Sequence, residues 1–249
     1  DFHQDKNRIG MLYTTSQPEE GVKYASSMPA PLADVLKSGL PDIVELSRYY
    51  NTGVMLRNGE KQFQSNNKFV DADFLSIFSF PFLYGDNKAL QDTKHILISE
   101  TMAEHLYGET DVIGKQVEVY IEDRWLAMQI GGVLKDIPAN SDLNFHSLMR
   151  FELKPNYDSY KEDWSYVDHE VFVKVKQNKI QKEAFSLAAR ALVNQHLEND
   201  VVILKRNGAT TDKNGDYLSL HLLPLKDYHL NNYQLGNAGS PTFPWVLLL

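Results

Sequence analysis

At 249 residues, with 43% hydrophobic and 23% charged side chains, the chain has room for one large domain or two small ones, and its composition is that of a core-forming rather than a disordered protein. Its 25 basic against 33 acidic residues, a net charge of -8, argue against nucleic acid, because phosphate binding needs clustered Lys and Arg. The lack of cysteine excludes disulfides, thiolate metal sites and a cysteine nucleophile together.

Residues 9 to 28 are weakly patterned, with Ser, Gln, Pro and Gly enriched from Ser16 to Gly21. A short helix is predicted over Pro31 to Lys37, with Pro31 suited to a first turn and Gly39 to its end. Ile43 to Tyr50 reads as a strand. Asn58-Gly59, between Val54-Met55-Leu56 and Phe63, is a hairpin signal. Asp71 or Asp73 can cap a short helix carrying Phe74, Leu75, Ile77 and Phe78. Phe78, Phe80 and Phe82 alternate as in a strand with one buried face, and with Phe74 and Tyr84 they read as core rather than as a lipid-binding surface.

Ile96 to Ile98 is a short buried strand, after which Ser99 caps a helix that Gly108 ends. Val117, Val119 and Ile121 alternate, as do Leu126, Met128 and Ile130, so the two segments should pair across the turn Glu122-Asp123-Arg124. Val171, Val173 and Val175 define an amphipathic strand. A helix follows over Gln181 to His196, with Ala184, Leu187, Ala188, Ala191 and Leu192 as its apolar face. Val201 to Leu204 reads as a short strand, Asn207 to Gly215 as an exposed loop, and Leu218, Leu220 and Leu222 as a last alternating strand. Strand, helix and strand make a βαβ-like unit, and the class is α+β.

No catalytic constellation assembles. Glu100 and His105 lie five apart on one helix, whereas ligands on a helix face need three or four. Ser65 and Lys68 match S-x-x-K, but Ser65 follows a hairpin strand instead of starting a helix, and Lys37-Ser38-Gly39 stands on the wrong side of it. His221 falls on the polar side of a strand and reads as a surface residue. Phosphate-binding, dinucleotide and nucleophile-elbow motifs are missing, so neither enzymatic activity nor a cofactor is expected.

The stretch from Phe69 to Phe151 carries more information than any of these residues alone. It runs from Phe69-Val70-Asp71-Ala72-Asp73-Phe74-Leu75 through Gly108-Glu109-Thr110-Asp111-Val112-Ile113-Gly114-Lys115 to Leu134-Lys135-Asp136-Ile137-Pro138-Ala139-Asn140-Ser141. In this order of words it resembles the extracytoplasmic core domain of MacB/FtsX-type ABC transporter permeases, in a Bacteroidetes-like branch. Asp1 to Ile9, Pro31 to Arg48 and Leu222 to Leu230 resemble further segments of that domain, so the likeness spans nearly the whole chain. Ile9-Gly10-Met11-Leu12 departs from the basic or aromatic pattern usual there.

The resemblance implies a split architecture. A membrane-proximal, porter-like βαβ lobe would be built from 1–72 and 136–240, and a Sabre-like distal lobe would be inserted at 73–135. The apolar tail 241–249 reads either as a plain strand or helix end or as the onset of a transmembrane helix, with Trp245 at the interface. The implied role is a non-catalytic periplasmic domain of an inner-membrane permease in a Gram-negative bacterium. ATP would be hydrolysed on a separate cytoplasmic subunit. Other implied partners are a second permease copy or paralogue, a membrane-fusion adaptor, a lipoprotein or a cell-wall enzyme. The rival readings are a secreted hydrolase and a ligand-binding or adhesion module with an unrecognised site. Exposed loops are the expected contact points: Gly108, Glu109 and Asp111 in one turn, Glu122, Asp123 and Arg124 at a hairpin tip, and Asn207, Asp212 and Lys213 in the late loop.

Overall fold

The computed structural model describes residues 5–138, 141 and 143–228. The expectations for Asp1 to Gln4, His229 to Leu230 and the tail 241–249 lie outside these residues. In chain order the elements are β1 (Ile9–Ser16), β2 (Lys23–Ala25), β3 (Met28–Pro29), α1 (Leu32–Gly39), β4 (Ile43–Asn58), β5 (Lys61–Val70), α2 (Phe74–Ile77), β6 (Phe82–Tyr84), β7 (His95–Ser99) and α3 (Glu100–Tyr107). There follow β8 (Gln116–Ile121), β9 (Arg124–Leu134), β10 (Ser147–Arg150), α4 (Tyr157–Tyr160), β11 (Val167–Val175), α5 (Lys182–His196), α6 (Glu198–Arg206), β12 (Leu218–Pro224) and α7 (Leu225–Tyr228). The chain divides into two compact units, one over Ser47–Lys161 and one over Asp5–Leu46 together with residues from Glu162 onward.

In the second, discontinuous unit, β1 pairs antiparallel with β11 on one side and with β12 on the other. Strands β11 and β12 therefore run parallel with β1 between them, a split form of the βαβ arrangement. This position explains why β1 carries no alternation: Ile9, Gly10, Met11 and Leu12 are all buried, and a strand covered on both faces reads as a continuous apolar run. Leu32, Ala33 and Leu36 of α1, Ile43 and Leu46, Val171, Val173 and Val175, and Ala189 and Val193 of α5 share one core.

Two expectations fail in this unit. The predicted strand Val201 to Leu204 is helical within α6. Glu198 and Asp200 occupy its first turn and Lys205 and Arg206 its last, charges that suit the helix dipole; the β-branched run alone pointed the other way. Helix α5 also turns a different face inward. It buries Ala189 and Val193, whereas Ala184, Ala188 and Ala191 are exposed and Leu187 is 66% exposed.

In the continuous unit the strands close on themselves. Strand β4 pairs with β5, β5 with β10, β10 with β7, β7 with β9, β9 with β8, and β8 with β4 again. The β5–β10 and β7–β9 pairings are parallel and the rest antiparallel. Leu56, Phe69, Ile96, Ile98, Val117, Val119, Met128, Ile130 and Met149 fill its core with Met102, Ala103 and Leu106 of α3. Ring closure pairs these six strands on both sides, and among the described residues the short β6, paired only with β9, is left as an edge. Closure also explains why the unit extends beyond 73–135. Residues 61–70 and 147–150 are ladder partners, from Asn67 with Ser147 to Val70 with Arg150, so they share a core with the hairpin between them.

The aromatic cluster is core for the most part. Phe74 lies 4.9 Å from Phe78 and 5.7 Å from Phe80, and Phe80 packs edge-on against Phe145 at 5.0 Å. The expected strand through Phe78 and Phe80 is absent, because Phe78 ends α2 and only Phe82–Tyr84 pairs, with β9.

Candidate partner-contact loops

The first loop leaves α3, whose start and end follow from the sequence. Ser99 accepts a hydrogen bond from Met102 N at 3.2 Å, and Gly108 closes the helix at φ 75°. Gly108, Glu109 and Asp111 are exposed, but the loop is anchored. Val112 is fully buried, Gly114 N donates to Ile130 O at 2.8 Å, and Lys115 pairs with Glu109. Ile113, 44% exposed, is the apolar group it offers. Beneath it the Tyr107 hydroxyl donates to Gln116 O at 2.7 Å, and burial pushes its phenol up to about 12.

The second is the β8–β9 tip. Ile121 pairs with Arg124, so the connection is the two residues Glu122 and Asp123, at φ 50° and 58°. Positive φ at both central positions is the type I′ signature that continues the strand twist. The tip is not bare: Glu122 Oε1 accepts from Asn156 N at 2.7 Å, so Glu122 is an internal tie as well as a surface charge. Asp123 and Arg124 are exposed.

The third loop, Asn207 to Gly215, belongs to the other unit. Asn207 caps α6, donating its N–H to Ile203 O at 3.0 Å. Asp212 organises the loop: its carboxylate accepts from Asn214 N at 2.8 Å and from Asp216 N and Ser219 Oγ at 3.0 Å each. Burial would raise its pKa, but these bonds, together with Arg190, hold it below the usual value. Lys213 is exposed and, of the three residues singled out in this loop, is the one with no role in its internal bonding.

The side chains weighed for chemistry are held by structural partners. Ser65 and Lys68 are three apart on β5, which puts them on opposite faces. Ser65 Oγ lies 2.7 Å from Ser147 Oγ, and Lys68 Nζ donates to Asn51 and Asn66. His105 stacks on Phe63 at 5.1 Å. His221 is not a plain surface residue as expected. Its ring nitrogens lie 2.7 Å from Ser186 Oγ and 2.8 Å from Thr15 Oγ1, tying α5 to β1. Burial lowers its pKa, opposed by Asp212. Ser186 also donates to Lys182 O at 3.1 Å, so the contact is a helix tie and not a poised nucleophile. Among the described residues no group of three or more His, Asp or Glu could hold a metal ion, and no helix is long and apolar enough to cross a membrane. An apolar cavity of about 240 Å³ lies between Leu40–Ile43 and α5, lined by Ile180, Ala184, Phe185 and Ala188.

Sequence reasoning missed the buried Arg48–Asp71 pair. Of the two expected cap candidates, Asp73 takes the cap position of α2, and the Asp71 carboxylate instead binds Arg48. A lone arginine in a strand with an acid at the end of the next strand was the available signal.

Fold and loops together define a class: an α+β module in two units, offering anchored surface loops. The MacB-like periplasmic core domain model matches residues 1–190, and the chain belongs to that family. Domains of this family are extracytoplasmic parts of ABC transporter permeases, which work with an ATPase subunit. Solved structures share the fold. A permease-protein domain from Porphyromonas gingivalis matches with a TM-score of 0.70 at 21% identity, covering 90% of this chain and 92% of that one. The periplasmic region of MacB from Actinobacillus actinomycetemcomitans matches at 0.55 and 11% identity, over 88% and 91%. The extracellular domain of the noncanonic ABC-type transporter YknZ from Gram-positive bacteria matches at 0.52 and 17% identity, over 86% and 99%. No match was found among curated proteins.

Proposed function

We propose that this chain is a non-catalytic, force-transmitting domain of an inner-membrane ABC permease, lying in the periplasm of a Gram-negative bacterium of the Bacteroidetes-like branch. The family match over residues 1–190 carries the reading. Motion driven by ATP hydrolysis on a separate cytoplasmic subunit passes outward through it. It serves export, the handling of lipoproteins or lipids, or control of envelope enzymes. In this reading the discontinuous unit is porter-like, and the continuous unit, wider than the 73–135 expected from the sequence, is the Sabre-like lobe. A second permease copy or paralogue stands beside it, and a membrane-fusion adaptor, a lipoprotein or a cell-wall enzyme receives the motion.

The anchored loops support this reading, because a transmitting surface must be stiff enough to push. The test is rescue of transport in the full permease. Asp111→Lys, Arg124→Glu and Lys213→Glu should impair function at normal expression. If all of them work normally while substitutions lining the 240 Å³ cavity abolish function, cargo binds inside and the loop reading fails.

A further inference from the structure

The outer wall of the strand ring carries a side-chain group that none of these loops includes. Gln62 pairs across the ladder with Arg57, Arg57 with Glu118, and Tyr120 with Trp125. Cross-strand partners and residues two apart point the same way, so these five and Gln64 share one face. Leu56, Val117 and Val119 point inward and are buried. Gln62 and Gln64 are exposed, and the Tyr120 ring is 42% exposed.

The group is held in place. The Arg57 guanidinium sits 3.8 Å from the Trp125 ring centroid, and its Nε donates to Glu118 Oε2 at 2.8 Å. Trp125 in turn braces the Tyr120 ring, with centroids 5.2 Å apart. Stacking and the ion pair fix the head of a long side chain that would otherwise lose rotamer entropy on binding. The bond to Glu118 uses only Nε, and Nη1 and Nη2 have no hydrogen-bond partner among the described residues.

We propose that this face binds a neutral glycan, a hexose chain that stacks one sugar on Tyr120 and places vicinal hydroxyls on Arg57 and Glu118. Charge selects first: within the group Arg57 and Glu118 cancel and the glutamines add no charge, while Glu60 near Arg57 and Asp123 at the Tyr120 hydroxyl disfavour an anionic polymer. Hydrogen bonding selects next. The face presents donors on Arg57, an acceptor on Glu118 and both on the glutamines. A hydroxyl donates and accepts and so matches all of them. A proline-rich peptide offers mainly carbonyl acceptors and leaves Glu118 unmatched. A lipid surface would meet mostly polar groups. The inference rests on this wall alone, and its failure would leave the force-transmission reading untouched.

The test is calorimetric titration of the whole 249-residue chain with short oligosaccharides of glucose, mannose and N-acetylglucosamine, and with a proline-rich peptide as comparison. Saturable binding of at least one oligosaccharide is expected. Tyr120→Ala and Arg57→Ala should each weaken it about tenfold or more, and Tyr120→Phe should retain it because the ring remains. Unchanged thermal unfolding of each variant separates loss of binding from loss of fold. Three results overturn the proposal: no oligosaccharide binding by the folded chain, binding indifferent to both alanine variants, or binding of the proline-rich peptide alone and its loss in Tyr120→Ala.

Discussion

Arg48 holds Asp71 with both ends of its guanidinium, Nε to Oδ2 at 3.0 Å and Nη2 to Oδ1 at 2.7 Å, and its own backbone N–H donates to Oδ2 at 2.7 Å. The Arg48 side chain is only 8% exposed and that of Asp71 17%. Nη1 donates to the Tyr157 hydroxyl at 2.9 Å, and the Phe151 ring lies 4.3 Å from the guanidinium carbon. Burial works against the charge, but Asp71 and Tyr157 outweigh it and raise the pKa of Arg48. The pair ties the middle of β4 to the end of β5 and to α4.

Removing one partner strands the other. Asp71→Ala is therefore expected to cost about 3–5 kcal/mol, because an uncompensated buried charge remains. The double variant Arg48→Met, Asp71→Leu should recover part of that loss, since no charge stays buried, while the residue-48 N–H and the Tyr157 hydroxyl lose their partners. Urea unfolding of Asp71→Ala and of the double variant measures this. Equal losses in Asp71→Ala and in the double variant would contradict it.

Gly85 predicts a second outcome. Its φ is 85°, and a Cβ there would lie 2.8 Å from Gly131 O, a backbone atom that cannot swing aside. Gly59 has φ 59° and open space around it. Both alanine variants suffer the left-handed penalty, roughly 1–2 kcal/mol, but only Gly85→Ala adds a clash costing about 1–3 kcal/mol. The difference in thermal midpoint between the two variants isolates the clash.

Much of the fold was legible because local signals and tertiary context agreed. The Ser99 cap, the Gly108 stop, the Asn58-Gly59 hairpin and the alternation of Val117, Val119 and Ile121 each reflect one local cause. The signal failed where burial came from elsewhere. Strand β1 is covered on both faces and shows no period, α6 is a surface helix whose apolar residues Val202 and Ile203 stay exposed, and α5 presents its neatest apolar stripe to solvent. The candidate contact loops were legible as loops. Their internal bonds were not, because Glu122 with Asn156, and Asp212 with Ser219, meet only once the fold is made.

His221 gives the pH dependence a sign. Its pKa in the folded state is lowered from the ordinary 6.5, chiefly by burial. The unfolded chain therefore binds the proton more readily, and stability rises with pH wherever it does. The contribution is present above about pH 6.5 and is lost as the pH falls from there toward the lower folded-state value. His221→Gln should flatten this part of the profile of thermal midpoint against pH. A wild-type profile that climbs as the pH drops through the same window would refute the assignment.

Asp212 and Lys213 are neighbours with opposite expectations. Asp212→Ala removes the acceptor for Asn214 N, Asp216 N and Ser219 Oγ, bonds that fold the loop before β12. At roughly 1 kcal/mol for a typical hydrogen bond, discounted because water can reach most of this loop, the global cost should be about 1–2 kcal/mol. The larger effect is local. Amide exchange at Asn214 and Asp216 should speed up well before the strands of the core respond. Because the Asp212 pKa is depressed, its contribution is present above the ordinary value of 3.8 and is lost as the pH falls through the folded-state value. Lys213→Glu touches none of these bonds and should change stability by less than about 0.5 kcal/mol. Charge reversal at Lys213 therefore tests the proposed partner contact with the loop intact, whereas a change at Asp212 reports on the loop itself. Equal exchange at Asn214 and Asp216 in wild type and Asp212→Ala would show that the loop holds its shape without the carboxylate.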